Sequence, residues 1–519
     1  MSLWFALSPL LVVAGGALLL MLAEALGKPA SESGINANGV VTDAGAGRAP
    51  ELALGSSVVL FSGAILSIAV WLVGPEKLDG LDAVAPYFIV DRFSLFFSFV
   101  VCLGGALSAL LAGGYLPEHD IDRSEFFPLV LWATVGAIAL SAAGDLLSLF
   151  VGLETMSLGV YCMIALRRGS LKASEAALKY FLLGSFAAAL QLFGAGLLYG
   201  ATGRTDLAGI GEAIRGIGTT GSLVSAPLVL IGMVLSIVGL AFKVGAVPFH
   251  MWTPDAYEGA PTPTTAYMAV ALKSAAFAIL MRVLVVSFGD ARLSSWGSGW
   301  PPIIAALAIA SMILGNFVAG RQDSVKRMLA YSSIAHAGYA LVGVAATIGS
   351  AQAEPSVAFY MLTYTVSTAG AFGTLILCGS KGREAVSYED LAGVGRRHPA
   401  AALAFSVFLL SLAGVPPAAG FFGKLYVFSA AIDAGLYWLT VIGLLNSAVG
   451  AYYYLRVMVY MYMREPVAGS PVAVPMRSAL VNAALLIAGV GVVLLGLFPT
   501  HALTFAASAL PDALSQVVP

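Results

Sequence analysis

The sequence predicts an all-α polytopic membrane protein of 14 transmembrane helices, with two inverted five-helix repeats and broken helices 7 and 12. Three observations carry this: composition, the spacing of apolar runs, and prolines inside two of them. Of 519 residues, 59% are hydrophobic and 10% are charged, where a soluble domain carries about 25% charged residues. A membrane-spanning helix takes about 20 mostly apolar residues, so the apolar content fills about 14 or 15 spans. A soluble enzyme and a disordered chain are both excluded. The net charge of −2 leaves no basic field for nucleic acid.

The elements follow in order. The N-terminus MSLWFALSPL has no basic region before its apolar stretch. The stretch to Leu26 is therefore a retained first helix, not a signal peptide. Residues 27–50 are polar and rich in Gly, Ala and Ser, a flexible insertion without chemistry. Hydropathy places the remaining spans at 52–74, 92–114, 126–143, 146–166, 173–201, 227–250, 263–288, 301–319, 325–348, 356–379, 399–432, 435–462 and 478–498. The loops at 203–226 and 380–398 are longer than the rest, and nothing in them spells a site. The organisation expected is 1–125 for helices 1–3, 126–288 for the first repeat (helices 4–8), 301–462 for the second (helices 9–13) and 463–519 for helix 14 and the tail.

Charge tests this map. The seven odd-numbered loops carry 15 Lys and Arg, the even loops five, and six lie inside spans. Basic residues favour the cytoplasmic side. The odd loops are then cytoplasmic, and both termini are external.

The six basic residues inside spans are Lys179, Lys243, Lys273, Arg282, Lys424 and Arg456. His250 and His336 lie in or beside spans, and Glu154 is the one acidic residue expected at mid-depth. A charge at the bilayer centre costs at least a few kcal/mol, so its retention points to an ion or proton path. Arg282 and Arg456 also fit snorkelling or helix-end anchoring. Lys179 is read as buried with the others, although it stands four residues after Glu175 and a helix pair at i, i+4 could explain it alone. His250 fits a capping role, and His336 is either a neutral core histidine or a proton relay. Glu154, Lys243, Lys273 and Lys424 have no such partner at helical spacing.

Lys243 precedes Pro248 by five residues, and Lys424 follows Pro417 by seven. Proline breaks a helix, and irregular backbone at membrane depth is tolerated where it is buried or lines a water-filled cavity. The two broken spans are the seventh and twelfth. An offset of five spans turns the second unit upside down, which gives inverted repeats.

These residues resemble a known family. AFKVGAVPFHMWTPDAYEGAPTPTTAYMA, LFVGLETMSL, ALKYFLLGSF, KRMLAYSSIAHAGY and LAGVPPAAGFFGKLYVF are similar to segments of the antiporter-like membrane subunits of respiratory complex I. YEGAPTP after PFHMWTPDA resembles the subunit N branch, the counterpart of mitochondrial subunit 2. The resemblance runs from about residue 91 to 462. It implies a Glu on helix 5 paired with a Lys on helix 7, matched by Glu154 and Lys243. It also implies a helix 6 Lys at Lys179, a central helix 8 Lys at Lys273, a helix 10 His at His336 and a helix 12 Lys at Lys424. His250 matches the His of PFHxWxPD.

The function implied is proton translocation within a multisubunit NADH–quinone oxidoreductase in the bacterial plasma membrane. Its partners are the other membrane subunits of complex I, including neighbouring antiporter-like subunits, together with membrane lipid. NADH, FMN, iron–sulfur clusters and quinone are expected in other subunits. No cofactor is expected in this chain, because Cys102, Cys162 and Cys378 stand alone, with no CxxC and no His/Cys cluster. The alternatives are a subunit of a multisubunit sodium/proton antiporter or of a membrane hydrogenase, and a scaffold whose charges only hold helices together.

Overall fold

The computed structural model describes residues 3–26, 34, 35, 41, 42, 48–119, 121, 123–167, 169–217, 225–379, 382–466 and 473–508. Most of the 27–50 insertion, Arg168 and the tail beyond 508 lie outside the described residues. Within the insertion, Gly34–Ile35 pairs antiparallel with Val41–Thr42. Everything else regular among the described residues is helical.

Eleven of these helices are long and apolar enough to cross a membrane, from Ser8–Leu26 to Ala479–Leu497. Phe126–Ser141 and Pro399–Ala413 are shorter apolar helices, and Tyr437–Met463 is a further long one. Arg92–Glu118, Thr262–Ser287, Val325–Ala346 and Ala353–Cys378 are almost wholly enclosed, whereas Ser8–Leu26, Leu171–Thr202 and Ala479–Leu497 turn most of their apolar surface outward. That division suits a bundle whose outer shell faces hydrocarbon rather than water.

Close packing uses small residues. A Cβ on Gly136 would strike the Met156 backbone, and one on Gly152 would strike the backbone of Leu140. Phe126–Ser141 and Leu146–Ala165 therefore approach backbone to backbone, as small residues permit.

The loops sort into two groups by contact. Leu146 N donates to Thr205 O, Ile89 N to Ala142 O, and Arg292 to the carbonyls of Ile214 and Ile217. These join the even-numbered loops of the sequence map. On the opposite face, Val325 N donates to Val386 O, Gly382 N to Glu118 O, Gly393 N to Tyr460 O and Ala473 N to Asp390 O. These tie the odd-numbered loops together.

Among its described residues, the 203–226 loop is partly helical. It contains a helix, Leu207–Arg215, whose N-cap Asp206 accepts from Gly209 N. This helix is strongly two-faced, with Leu207, Ile210 and Ile214 buried. Its apolar face is only three residues wide, too short to register as a span.

Two helices are interrupted. Ala226–Val244 ends at Gly245 (φ 74°), and helix resumes at Trp252–Gly259 and then Thr262–Tyr267. Pro399–Ala413 ends at Gly414 (φ 87°), and helix resumes at Ala419–Asp433. Each break pairs a left-handed glycine, which lacks the Cβ penalty, with prolines that cannot continue the ladder.

Candidate proton pathway

Lys243 lies in the last turn of the first half-helix and is fully buried. Its Nζ donates to Ser157 Oγ at 2.7 Å. The rings of Tyr161, Tyr180 and Phe242 stand 5.6–5.8 Å from the ammonium, close enough for cation–π attraction. Trp252 stacks on Tyr180 at 4.4 Å and donates Nε1–H to Phe242 O, a last-turn carbonyl that also accepts from Gly245 N. Glu154 is three residues before Ser157 on the same helix. Its Oε1 is buried without a hydrogen-bond partner.

Lys273 follows the first of two π-helical segments, Met268–Leu272 and Val283–Ser287. Such segments gather at functional sites. Lys273 Nζ donates to Ser333 O at 2.6 Å and bonds Ser333 Oγ. A Cβ on Gly245 would sit 3.8 Å from this ammonium. The first helix break therefore lies between Lys243 and Lys273.

His336 is buried in a ring of hydroxyls. Its Nδ1 lies 2.6 Å from Tyr360 OH and its Nε2 3.0 Å from Tyr454 OH. Tyr454 OH also bonds Ser332 Oγ. Beside it, Tyr453 OH donates to Asn316 Oδ1 at 3.0 Å, and Asn316 Nδ2 donates to Tyr339 OH at 2.9 Å. Lys424 Nζ stands 4.9 Å from the Tyr339 ring. It donates to Ala413 O and Ser447 Oγ, both at 2.9 Å. Ala413 ends a half-helix, whose carbonyl end carries partial negative charge suited to a cation. A cavity of about 240 Å³ opens beside Lys424, lined by Phe428, Thr440 and Ser447 among others. Its volume holds room for several waters.

The structure thus brings Lys243, Lys273, His336 and Lys424 into one interior row, with Glu154 at one end. Lys179 stands apart. Its side chain is 45% exposed and bonds Glu175 at 2.6 Å and Asp255 at 2.9 Å, and Arg327 joins Asp255 at 3.1 Å. The expectation that it sits buried at mid-depth is corrected: Leu171–Thr202 turns this side outward. His250 lies in the break, half-buried, with Nδ1 lacking a partner. Arg282 is buried and pairs Asp91 through two 2.9 Å bonds, and Arg456 caps carbonyls of Gly320 and Gln322.

Sequence reading missed the neutral partners Ser157, Ser333, Tyr360, Tyr454 and Asn316, because hydroxyls and amides are ordinary in apolar helices. The cysteines do not fit cluster ligation: Cys102 and Cys378 are buried on two separate helices, and Cys162 is exposed on a third.

Against known proteins, residues 143–450 match the family model described as NADH:quinone oxidoreductase/Mrp antiporter, transmembrane region. The chain belongs to that family. It is 63% identical over 508 residues, 98% of both chains, to a protein of Sorangium cellulosum named NADH-quinone oxidoreductase subunit N 1. It is similar to a chain of respiratory complex I from Thermus thermophilus, at 34% identity and TM-score 0.76, covering 96% of this chain and 99% of that one. A chain of the Mrp complex from Dietzia shares the fold at TM-score 0.81 with 22% identity, covering 100% of both.

Proposed function

We propose that this chain is the proton-translocating, antiporter-like subunit N of a multisubunit NADH–quinone oxidoreductase in a bacterial plasma membrane. The observation that carries the reading is the interior row of Lys243, Lys273, His336 and Lys424, each held by hydroxyls or carbonyls rather than locked in a tight ion pair. A scaffold would pair such charges, because an unpaired buried charge is costly. The 63% identity to a subunit N supports this machine over an antiporter.

In this reading the chain crosses the membrane 14 times as two inverted five-helix units, 126–288 and 301–462, with both termini external. Glu154 and Lys243 serve the first unit. Lys273 is the central station, His336 passes the proton on, and Lys424 serves the second unit with its cavity as the outer route. Lys179 and His250 act at the approaches to Lys243. NADH, FMN, iron–sulfur clusters and quinone belong to other subunits, and electron transfer there drives the protons here. Affinity purification from native membranes tests the assembly. Co-purification of the quinone-reductase subunits is expected, and co-purification of cation-antiporter subunits alone would overturn it.

A further inference from the structure

Glu384 stands in the 380–398 loop, where sequence indicates no site. The structure folds it inward until its side chain is only 16% exposed. Its Oε1 accepts from Tyr115 OH and from Thr262 Oγ1 at 3.3 Å. Its Oε2 accepts from Lys326 Nζ at 3.2 Å. Lys326 is itself 1% exposed and donates also to Ala260 O at 2.7 Å. Arg167 reaches Oε1 at 3.8 Å and is 35% exposed, so the cluster touches the surface on one side only.

Other titratable groups surround it. From Arg92–Glu118 and its C-cap come Tyr115, Glu118 and His119, with His119 stacked on Tyr115 at 4.1 Å. From the segment after the first break comes Glu258, which bridges Lys172 at 3.3 Å and Ser324 at 2.9 Å. Within its own loop, Arg383 is taken by Asp390. Burial lowers His119 to about 4, with the Arg167 cation adding to the effect, so His119 stays neutral. Burial pushes the Glu384 carboxyl up, while the Lys326 ammonium at 3.2 Å favours its ionised form, so its protonation turns on whether that pair is closed.

The cluster points at Lys273. Lys326 and Ser333 are seven residues apart on one helix, two turns along the same face, or about 10 Å. Ser333 holds Lys273, and Tyr257 OH lies 3.4 Å from Ser333 Oγ. The YEGAPTP segment therefore gives Tyr257 to the Lys273 end, and Ala260 O and Thr262 to the Glu384 end.

We propose that Glu384, held against Lys326, is the proton-loading carboxylate through which Lys273 exchanges protons with water on this face. This rests on the proton-translocating reading above. Glu384 takes up one proton from hydronium at the aqueous face, whose O–H bond breaks as the carboxyl O–H forms, and its pair with Lys326 opens. It then gives that proton inward to the neutral amine of Lys273, past the hydroxyls of Tyr257 and Ser333, and the ion pair re-forms. One proton enters and one reaches Lys273.

The test compares Glu384→Gln, Glu384→Asp and Lys273→Ala in the assembled complex, reading NADH-driven acridine-dye quenching in inverted vesicles from pH 6 to 9. Wild-type pumping should fall as the pH rises past the carboxyl value, because loading needs the protonated acid. Glu384→Gln should lower pumping at least fivefold with assembly intact. Glu384→Asp should keep pumping but move the alkaline limb, a shift that a merely structural carboxylate would not give. If Glu384→Gln fails to assemble, the Glu384→Asp limb decides, and an unmoved limb overturns the proposal. Full pumping by Glu384→Gln with loss in Lys273→Ala would overturn the loading role alone. Full pumping by Lys273→Ala would overturn the underlying reading.

Discussion

Lys243 Nζ is bonded to Ser157 Oγ at 2.7 Å, one helical turn from the Glu154 carboxylate. The hydrogen-bond partner of the ammonium is thus the Ser157 hydroxyl and not the carboxylate. The ammonium has a neutral acceptor and an aromatic cage, and the carboxylate acts from a distance. In the proposed relay, Lys243 holds its proton while Glu154 is near and passes it on when Glu154 withdraws.

Ser157→Ala should disturb this balance without harming the fold. A hydrogen bond to a charged group contributes about 1.5–3 kcal/mol, so Lys243 should either collapse onto Glu154 or lose its charge. Proton pumping should drop severalfold in vesicles, with complex yield unchanged. Wild-type pumping by Ser157→Ala would show that the serine only fills space.

Arg282 and Asp91 give a stability prediction. Asp91 also caps Arg92–Glu118, accepting from Ser94 N at 2.7 Å. Asp91→Ala leaves Arg282 buried and unpaired, at a cost of about 3–5 kcal/mol. Replacing both, Asp91→Leu with Arg282→Met, should recover all but the cap, about 1 kcal/mol. Thermal denaturation of the purified complex separates the cases. Equal stability of the single and double variants would contradict the pair's role.

Two glycines separate strain from intrusion. Gly414 (φ 87°) and Gly435 (φ 76°) both take left-handed backbone, where a side chain costs about 1–2 kcal/mol. A Cβ on Gly414 would lie 3.1 Å from Lys424 Cδ, whereas Gly435 has open space. Both alanine variants should lower stability alike, but only Gly414→Ala should also cut pumping. Equal pumping by the two would mean that Lys424 tolerates displacement.

Much of this was legible in the sequence. The spans stand out because hydrocarbon demands about 20 apolar residues at a time. Lys243, Lys273 and Lys424 stand out because a cation within such a run has few structural reasons to be there. The neutral groups that hold them do not, since Ser333 or Tyr454 looks like any other polar residue in a helix. Lys179 was misplaced because sequence gives depth along a helix but not which way its face turns. Glu384 was invisible because a carboxylate in a loop is ordinary until the loop folds back over Lys326.

If the interior row is a proton relay, Lys243 must both hold and release a proton. The most direct measurement is NADH-driven proton pumping by an assembled Lys243→Arg complex, beside Lys243→Ala. Arginine keeps its charge at any working pH. The relay account predicts that both variants assemble and both pump poorly. Full pumping by Lys243→Arg would contradict it and leave a fixed charge that serves only to hold helices together.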